Sequence, residues 1–201
     1  MASDAHLLID QARGGNEEAT GRLLRMYGEY LKLLARVQIG RRLQGKVDAS
    51  DLVQETFLDA HRQMPNFKGA TEAELLAWLR RIMAGQVAMT VRRYVGAKGR
   101  DVNLERGIAQ DIEHSSVALD GGLVGSETSP SQHAARREQA VILADALSRL
   151  SEDHREAIVL RHLEGLSLAE TAQRMGRSAD SVQKLYVRGL MNLRRTLGTL
   201  P

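Results

Sequence analysis

The residues best suited to a defined chemistry lie between Gly165 and Arg188. Gln183, Lys184, Val187 and Arg188 recur where one helix face would carry them together. Amide, ammonium and guanidinium groups match base edges in a DNA major groove, and Val187 can touch a thymine methyl. Ser178 and Ser181 stand five and two residues before Gln183, where a helix N-terminus would present hydroxyls and amides to phosphate. Ser167 can cap a short helix holding Leu168, Ala172 and Met175 inward, and Gly176 supplies the turn. Ala172, Gly176 and Val182 stand four and six apart, which is the spacing two closely crossing helices require. The segment reads as a helix-turn-helix, and reading DNA is the function it implies.

Two further groups belong to the same kind of chemistry. Asn66-Phe-Lys-Gly69 follows Pro65 in a short loop. Capturing an unstacked base needs an apolar wall, polar groups for base edges and close backbone approach. Phe67, Asn66, Lys68 and Gly69 supply these types, although Phe67 could equally anchor the core. Arg80, Arg81, Arg92, Arg93, Lys98 and Arg100 form a run without one acidic residue, suited to phosphate contacts that steepen salt dependence. Asp48, Asp51, Gln54, Glu55 and Asp59 form a polar helix face. Leu52, Phe57 and Leu58 do not all fit on one inward stripe, so apolar surface should stay exposed beside the acids. A mixed acidic and apolar face suits docking on a basic protein surface. There is no nucleophile with a base, no phosphate-cradling loop and no set of metal ligands, so neither an enzyme nor a bound cofactor or metal is expected. The six histidines are scattered and cysteine is absent.

These groups need elements to hold them. Apolar spacing predicts helices before Gly14-Gly15, from Asn16 through Val37, from Asp48 to the residue before Pro65, and from about Thr71 to Tyr94. The last would face inward with Leu75, Trp78, Leu79 and Ile82. From Gly96 to about Gln132 the period fails, which predicts a flexible acidic linker with a short ordered piece around Leu104 to Ile112. Helical spacing resumes near His133, with Val141, Leu143, Ala144, Leu147 and Leu150. Ser151 caps the next helix, containing Ala157, Ile158, Leu160 and Leu163. No strand pattern occurs, so the fold class is all-α, in two helical domains. The net charge of +3 is small, but its distribution is uneven. Residues 80–100 carry six basic and no acidic residues, residues 101–135 six acidic and one basic, and residues 178–197 four basic and one acidic. Two basic surfaces flanking an acidic connector fit two DNA-facing domains. No apolar run is long enough to span a bilayer, and no signal-peptide core is present. A cytoplasmic protein with no membrane partner is expected.

In that order and spacing the chain resembles an extracytoplasmic-function (group IV) sigma factor of the sigma-70 family. Asp51-Leu-Val-Gln-Glu-Thr-Phe-Leu-Asp-Ala-His61 is similar to the family's polymerase-binding helix. Asn66-Phe-Lys-Gly69 with Trp78-Leu-Arg-Arg-Ile82 is similar to its −10-reading region, and Leu147 to Ile158 opens its −35-reading domain. The wording around Ala73 to Ile82 and the acidic linker look planctomycete-like. The resemblance implies region 2 over 1–98, a linker over 99–135 and region 4 over 136–201. It implies core RNA polymerase, at its clamp and flap, and promoter DNA as partners, and leaves open an anti-sigma factor. By the resemblance the polymerase-facing residues are Asp48, Asp51, Leu52, Gln54, Glu55, Phe57, Leu58 and Asp59. The −10 set is Asn66, Phe67, Lys68, Gly69, Arg81, Gly85, Gln86, Met89, Arg92 and Arg93, and the −35 set is Ser178, Ser181, Gln183, Lys184, Val187 and Arg188. Gly85 and Met89 depart from the family's Asn and Asp, and Thr171 replaces an aliphatic residue. The implied function is directing RNA polymerase to promoters. The alternative is a stand-alone helix-turn-helix regulator that binds duplex DNA without polymerase.

Overall fold

The computed structural model describes residues 2–42, 47–95, 102–120 and 130–199. Among them every regular element is helical. Lys98, Arg100 and residues 43–46 lie outside the described residues, as do residues 121–129 of the acidic connector. The chain divides into two compact units, Met1–His114 and Ser115–Pro201.

The first unit holds α1 (Ala2–Arg13), α2 (Glu17–Met26), α3 (Gly28–Arg42), α4 (Ala49–Gln63), α5 (Glu72–Val95) and the first part of α6 (Val102–Asp120). Asn16 caps α2 by accepting the Ala19 N–H at 3.0 Å. The single helix expected from Asn16 to Val37 is interrupted at Tyr27, whose φ of −103° leaves the helical range. Tyr27 and Tyr30 are both buried with Leu23, Leu31 and Leu34, so one apolar stripe runs on across the break. Asp48 caps α4 through the Ser50 N–H at 2.8 Å, which sends Leu52, Val53, Thr56 and Ala60 inward. The Thr56 hydroxyl donates to the Leu52 carbonyl at 2.7 Å, so its burial leaves no polar group unsatisfied.

A 3-10 turn, Met64–Asn66, joins α4 to α5. The start of α5 is a reciprocal cap. Thr71 Oγ1 accepts the Glu74 N–H at 3.3 Å, and the Glu74 carboxylate takes the Ala70 and Thr71 N–H groups at 2.9 and 3.0 Å. Those bonds, the Ala70 amide foremost, hold the Glu74 carboxyl below its usual pKa. The inward face of α5 is Leu75, Leu76, Leu79, Met83 and Val87. Trp78 and Ile82, expected inside, are only half-buried. Ala84 and Ala88 are also buried, on a second side of the helix.

That second side lies between Arg80 and Arg92, which reach the first part of α6. The acidic connector contains an ordered helix of 19 residues rather than a piece near Leu104–Ile112. Ile108, Ile112, Ser115, Ser116 and Leu119 are buried at helical spacing. Gly107 and the serine pair disguise this period in the sequence. Glu105 pairs with Arg92 at 3.2 Å, and Glu113 with Arg80 at 3.1 Å. The reversed order of these pairs makes α5 and α6 antiparallel. Arg80 also donates to the Tyr30 hydroxyl at 3.1 Å. The basic run lacks acids of its own, yet the next helix supplies them.

The second unit holds the rest of α6, then α7 (Pro130–Ser148), α8 (Glu152–Ile158), a π-helical turn (Val159–Leu163), α9 (Leu168–Met175) and α10 (Ala179–Leu197). Its core includes Ala144, Leu147, Leu150, Ile158, Leu160, Ala172, Val182 and Leu193. Ser151 makes no cap bond with its side chain. Its hydroxyl meets His154 Nδ1 at 3.0 Å instead. Gly189 lets α10 approach α8, because a Cβ there would stand 3.1 Å from Ile158 Cδ1 and 3.2 Å from the His154 carbonyl oxygen.

The ion pairs between α5 and α6 are partly exposed, so each contributes at most about 1 kcal/mol. Joint Glu105→Gln and Glu113→Gln substitution should speed hydrogen exchange of the amides in 103–113 by about fivefold, with α4 amides unaffected. Mass-resolved exchange measures this.

Candidate nucleic-acid and protein interfaces

The helix-turn-helix is built almost wholly from local bonds. Ser167 Oγ accepts the Glu170 N–H at 3.3 Å, and Glu170 accepts the Ser167 N–H at 2.7 Å. The Ser167 hydroxyl first, and then the Ser167 backbone N–H, keep the Glu170 carboxyl below its usual pKa. Gly176 ends α9 in the left-handed region, at φ +62° and ψ +33°. The Arg177 N–H then returns to the Ala172 carbonyl at 3.0 Å. Ser178 caps α10 through the Ser181 N–H at 3.2 Å. Thr171 is buried, and its hydroxyl donates to the Ser167 carbonyl at 2.8 Å. The polar atom that stands where an aliphatic residue was expected is therefore satisfied.

With that start, α10 points Val182, Gly189 and Leu193 inward. Gln183, Lys184, Val187 and Arg188 share the exposed face, as the spacing predicted. Ser178 is exposed and Ser181 half-exposed at the helix start. Lys184 pairs with Asp180 one turn back at 2.7 Å, a contact exposed enough to exchange for another anion. Leu185 and Tyr186 are both half-buried. Tyr186 is held by His162: the rings stack at 5.4 Å, and His162 Nε2 hydrogen-bonds the hydroxyl.

In the first unit α4 exposes Asp51, Gln54, Glu55 and Leu58, with Phe57 half-exposed beside them. Leu58 retains 56% of its surface in solvent. The Ser50 amide, with help from Lys32 and Arg36, keeps the Asp48 carboxyl below its usual pKa. Two residues expected on this surface are not on it. Leu52 is buried, because the Asp48 cap sets the phase of α4 and turns position 52 to the core. Asp59 is half-buried, pairing with Arg62 at 2.6 Å and accepting a hydrogen bond from Gln86.

The loop after α4 has an internal logic. Phe67 is buried and stacks at a tilt on Trp78, with centroids 4.8 Å apart. It is an anchor in this structure rather than an open wall. A Cβ on Gly69 would fall 2.4 Å from Phe67 Cζ and 2.8 Å from Glu74 Cβ, so only glycine lets the loop close over the ring. Asn66 and Lys68 remain exposed. They border a cleft of about 480 Å³ whose other wall is Asp10, Arg13 and Gly14 at the end of α1. Sequence reasoning missed those three, because only packing brings α1 to the loop.

Along α5, Arg81, Gly85, Met89 and Arg93 stand four apart and form one open strip, exposed except for half-buried Gly85. Two α5 members of the expected −10 set lie off it. Gln86 is buried and donates to Asp59. Arg92 is committed to Glu105, with only 17% of its side chain exposed. The helical phase explains both: positions 86 and 92 flank the strip on opposite sides. At Gly85 an added Cβ would meet nothing within 4 Å. Gly85→Ala should therefore stabilise α5 by about 1 kcal/mol and raise the melting temperature by a few degrees in thermal unfolding.

Comparison with known proteins bears on the whole arrangement. Residues 26–95 match the family description Sigma-70 region 2, and residues 140–193 match Sigma-70, region 4. The chain is 30% identical to the ECF RNA polymerase sigma factor BldN of Streptomyces coelicolor over 94% of its own length and 64% of that protein's. It is 29% identical to the ECF RNA polymerase sigma-E factor of Haemophilus influenzae, over 90% of this chain and 88% of that one. It is likewise 29% identical to the RNA polymerase sigma factor CnrH of Cupriavidus metallidurans, over 88% and 85%. Two region matches in the order of the two structural units, and relatives aligned across both, make this chain a member of the extracytoplasmic-function group of the sigma-70 family.

Proposed function

We propose that the chain directs bacterial core RNA polymerase to a set of promoters, with residues 1–98 and 136–201 as its working domains and 99–135 between them. The observation that carries the reading is the exposed face of α4. Asp51, Gln54 and Glu55 surround Leu58 and Phe57, in the same unit as the open α5 strip. A regulator that only binds duplex DNA has no use for an acidic and apolar docking face. That face fits the polymerase clamp, where exposed leucine and aromatic surface supply the anchor and the carboxylates meet basic partners. Leu52 supports the face from beneath, and Asp59 orients it through Gln86 and Arg62.

At the −10 element the strip Arg81, Gly85, Met89, Arg93 follows the strand. Asn66 and Lys68 meet one unstacked base at the cleft beside α1. Gly69 and Phe67 shape that loop without touching DNA. At the −35 element Ser178 and Ser181 take phosphates, while Gln183, Lys184, Val187 and Arg188 meet base edges. The polymerase flap and clamp are the protein partners, and the cytoplasm is the compartment. Among the described residues no helix is long and apolar enough to cross a membrane.

Pull-down of core RNA polymerase followed by run-off transcription on genomic DNA tests the reading. The wild-type chain should bind stably and yield defined start sites. Asp51→Arg with Glu55→Arg should weaken binding by at least about tenfold, since reversing both charges adds repulsion where attraction was expected. A chain that ignores core polymerase yet shifts duplex DNA is a stand-alone regulator, and the assignment of α4 falls.

A further inference from the structure

The π-helical turn Val159–Leu163 contributes two successive side chains to the helix-turn-helix, and both reach Tyr186. Arg161 places its guanidinium carbon 5.8 Å from the centroid of the Tyr186 ring. Its Nη1 also donates to the Leu166 carbonyl at 2.7 Å, one residue before the Ser167 cap of α9. His162 stacks on the same ring and hydrogen-bonds its hydroxyl through Nε2. The wide turn itself is closed by the Glu164 N–H on the Val159 carbonyl at 3.1 Å. The Leu166 N–H returns to the Leu160 carbonyl at 3.0 Å, and Gly165 makes the reversal at φ +72°. One short segment thus grips the start of α9 and the middle of α10.

We propose that Arg161 and His162 are positioning residues that fix the rotation of the recognition helix through Tyr186, and so decide which α10 side chains meet base edges. The inference rests on the assignment of α10 to DNA reading. Tyr186 lies between Lys184 and the pair Val187 and Arg188, so its anchorage sets the angle of all three. A roll of about 20° moves a side-chain tip, about 6 Å from the helix axis, through about 2 Å. That displacement exceeds the distance range in which a hydrogen bond to a base survives. Val182, Gly189 and Leu193 hold the buried face of α10. The Tyr186 hydroxyl bonded to a ring nitrogen adds a contact with a preferred direction beside the exposed face. Partial desolvation holds the His162 pKa below its usual value, and the Arg161 charge lowers it further. A neutral imidazole leaves Nε2 free to accept the Tyr186 proton, with the ring's own proton on Nδ1. A π turn at this point has a use: it places consecutive residues where both can reach one partner.

The test uses the full-length chain and duplexes enriched by the wild-type protein from a randomised pool, with a scrambled duplex as reference. Tyr186→Phe and His162→Ala should each reduce the preference for the enriched over the scrambled duplex by about tenfold, the discrimination that one good base contact supplies. Affinity for the scrambled duplex and its salt dependence should not change, since phosphate contacts tolerate small rotations. His162→Gln, whose amide oxygen accepts the same hydroxyl bond, should keep most of the preference. An unchanged preference in Tyr186→Phe and His162→Ala overturns the proposal. So does an equal loss on both duplexes with a lowered melting temperature, which marks a general packing role. His162→Gln behaving like His162→Ala overturns it as well. A wild-type chain that enriches no sequence overturns the DNA-reading assignment, and the positioning role falls with it.

Discussion

Helix starts control this molecule. A chain with two phenylalanines, four tyrosines and one tryptophan has few aromatic side chains to lock helices in place. Each helix also leaves its first N–H groups without partners. Asn16, Asp48, the Thr71 and Glu74 pair, the Ser167 and Glu170 pair, and Ser178 satisfy them at five starts. A cap does more than stabilise by about 1 kcal/mol. It sets the residue at which the helix begins, and therefore the direction in which every later side chain points. Moving the α4 start by one residue would swing Leu52 out of the core and Asp51 toward it. Moving the α10 start would replace Gln183 and Val187 on the open face with their neighbours.

The second theme is division of labour around α5. One side packs Leu76, Leu79 and Met83 into the core. Another gives up its charges to Glu105 and Glu113 of α6. What remains is a narrow strip, with an arginine at each end and glycine and methionine between. A run of cations without acids in the sequence therefore does not equal a run of cations open to DNA. Half of the described ones are already neutralised within the unit. The strip keeps Arg81 and Arg93, enough to follow a phosphate backbone while the loop beside α1 supplies the polar contacts.

The loop itself shows how glycine can be mistaken for a functional residue. Gly69 suits close approach of a strand by composition alone, yet its missing Cβ is what lets Phe67 and Glu74 pack. The same ring that could have stacked on a base is spent on Trp78. Anchoring the loop and presenting Asn66 and Lys68 are linked, because a rigid loop holds its polar groups in place for a ligand.

What the sequence determined by itself is local. The all-helical class, the caps at Ser167 and Ser178, the turn at Gly176 and the exposed quartet on α10 follow from spacings of one to seven residues, and they appear in the structure at those positions. The exposed apolar residue beside the acids of α4 was legible for the same reason. Tertiary structure decided the rest, because it depends on what arrives from far along the chain. The break at Tyr27 falls inside one continuous apolar stripe, so no spacing in the sequence marks it. The commitment of Arg92 depends on a helix ten residues later, and that of Gln86 on Asp59 from the helix before. The cleft wall of Asp10 and Arg13 lies more than fifty residues from the loop it faces. Short-range periodicity carries the direction of a side chain relative to its own helix. Only packing says whether that direction ends in solvent, in the core or on a partner.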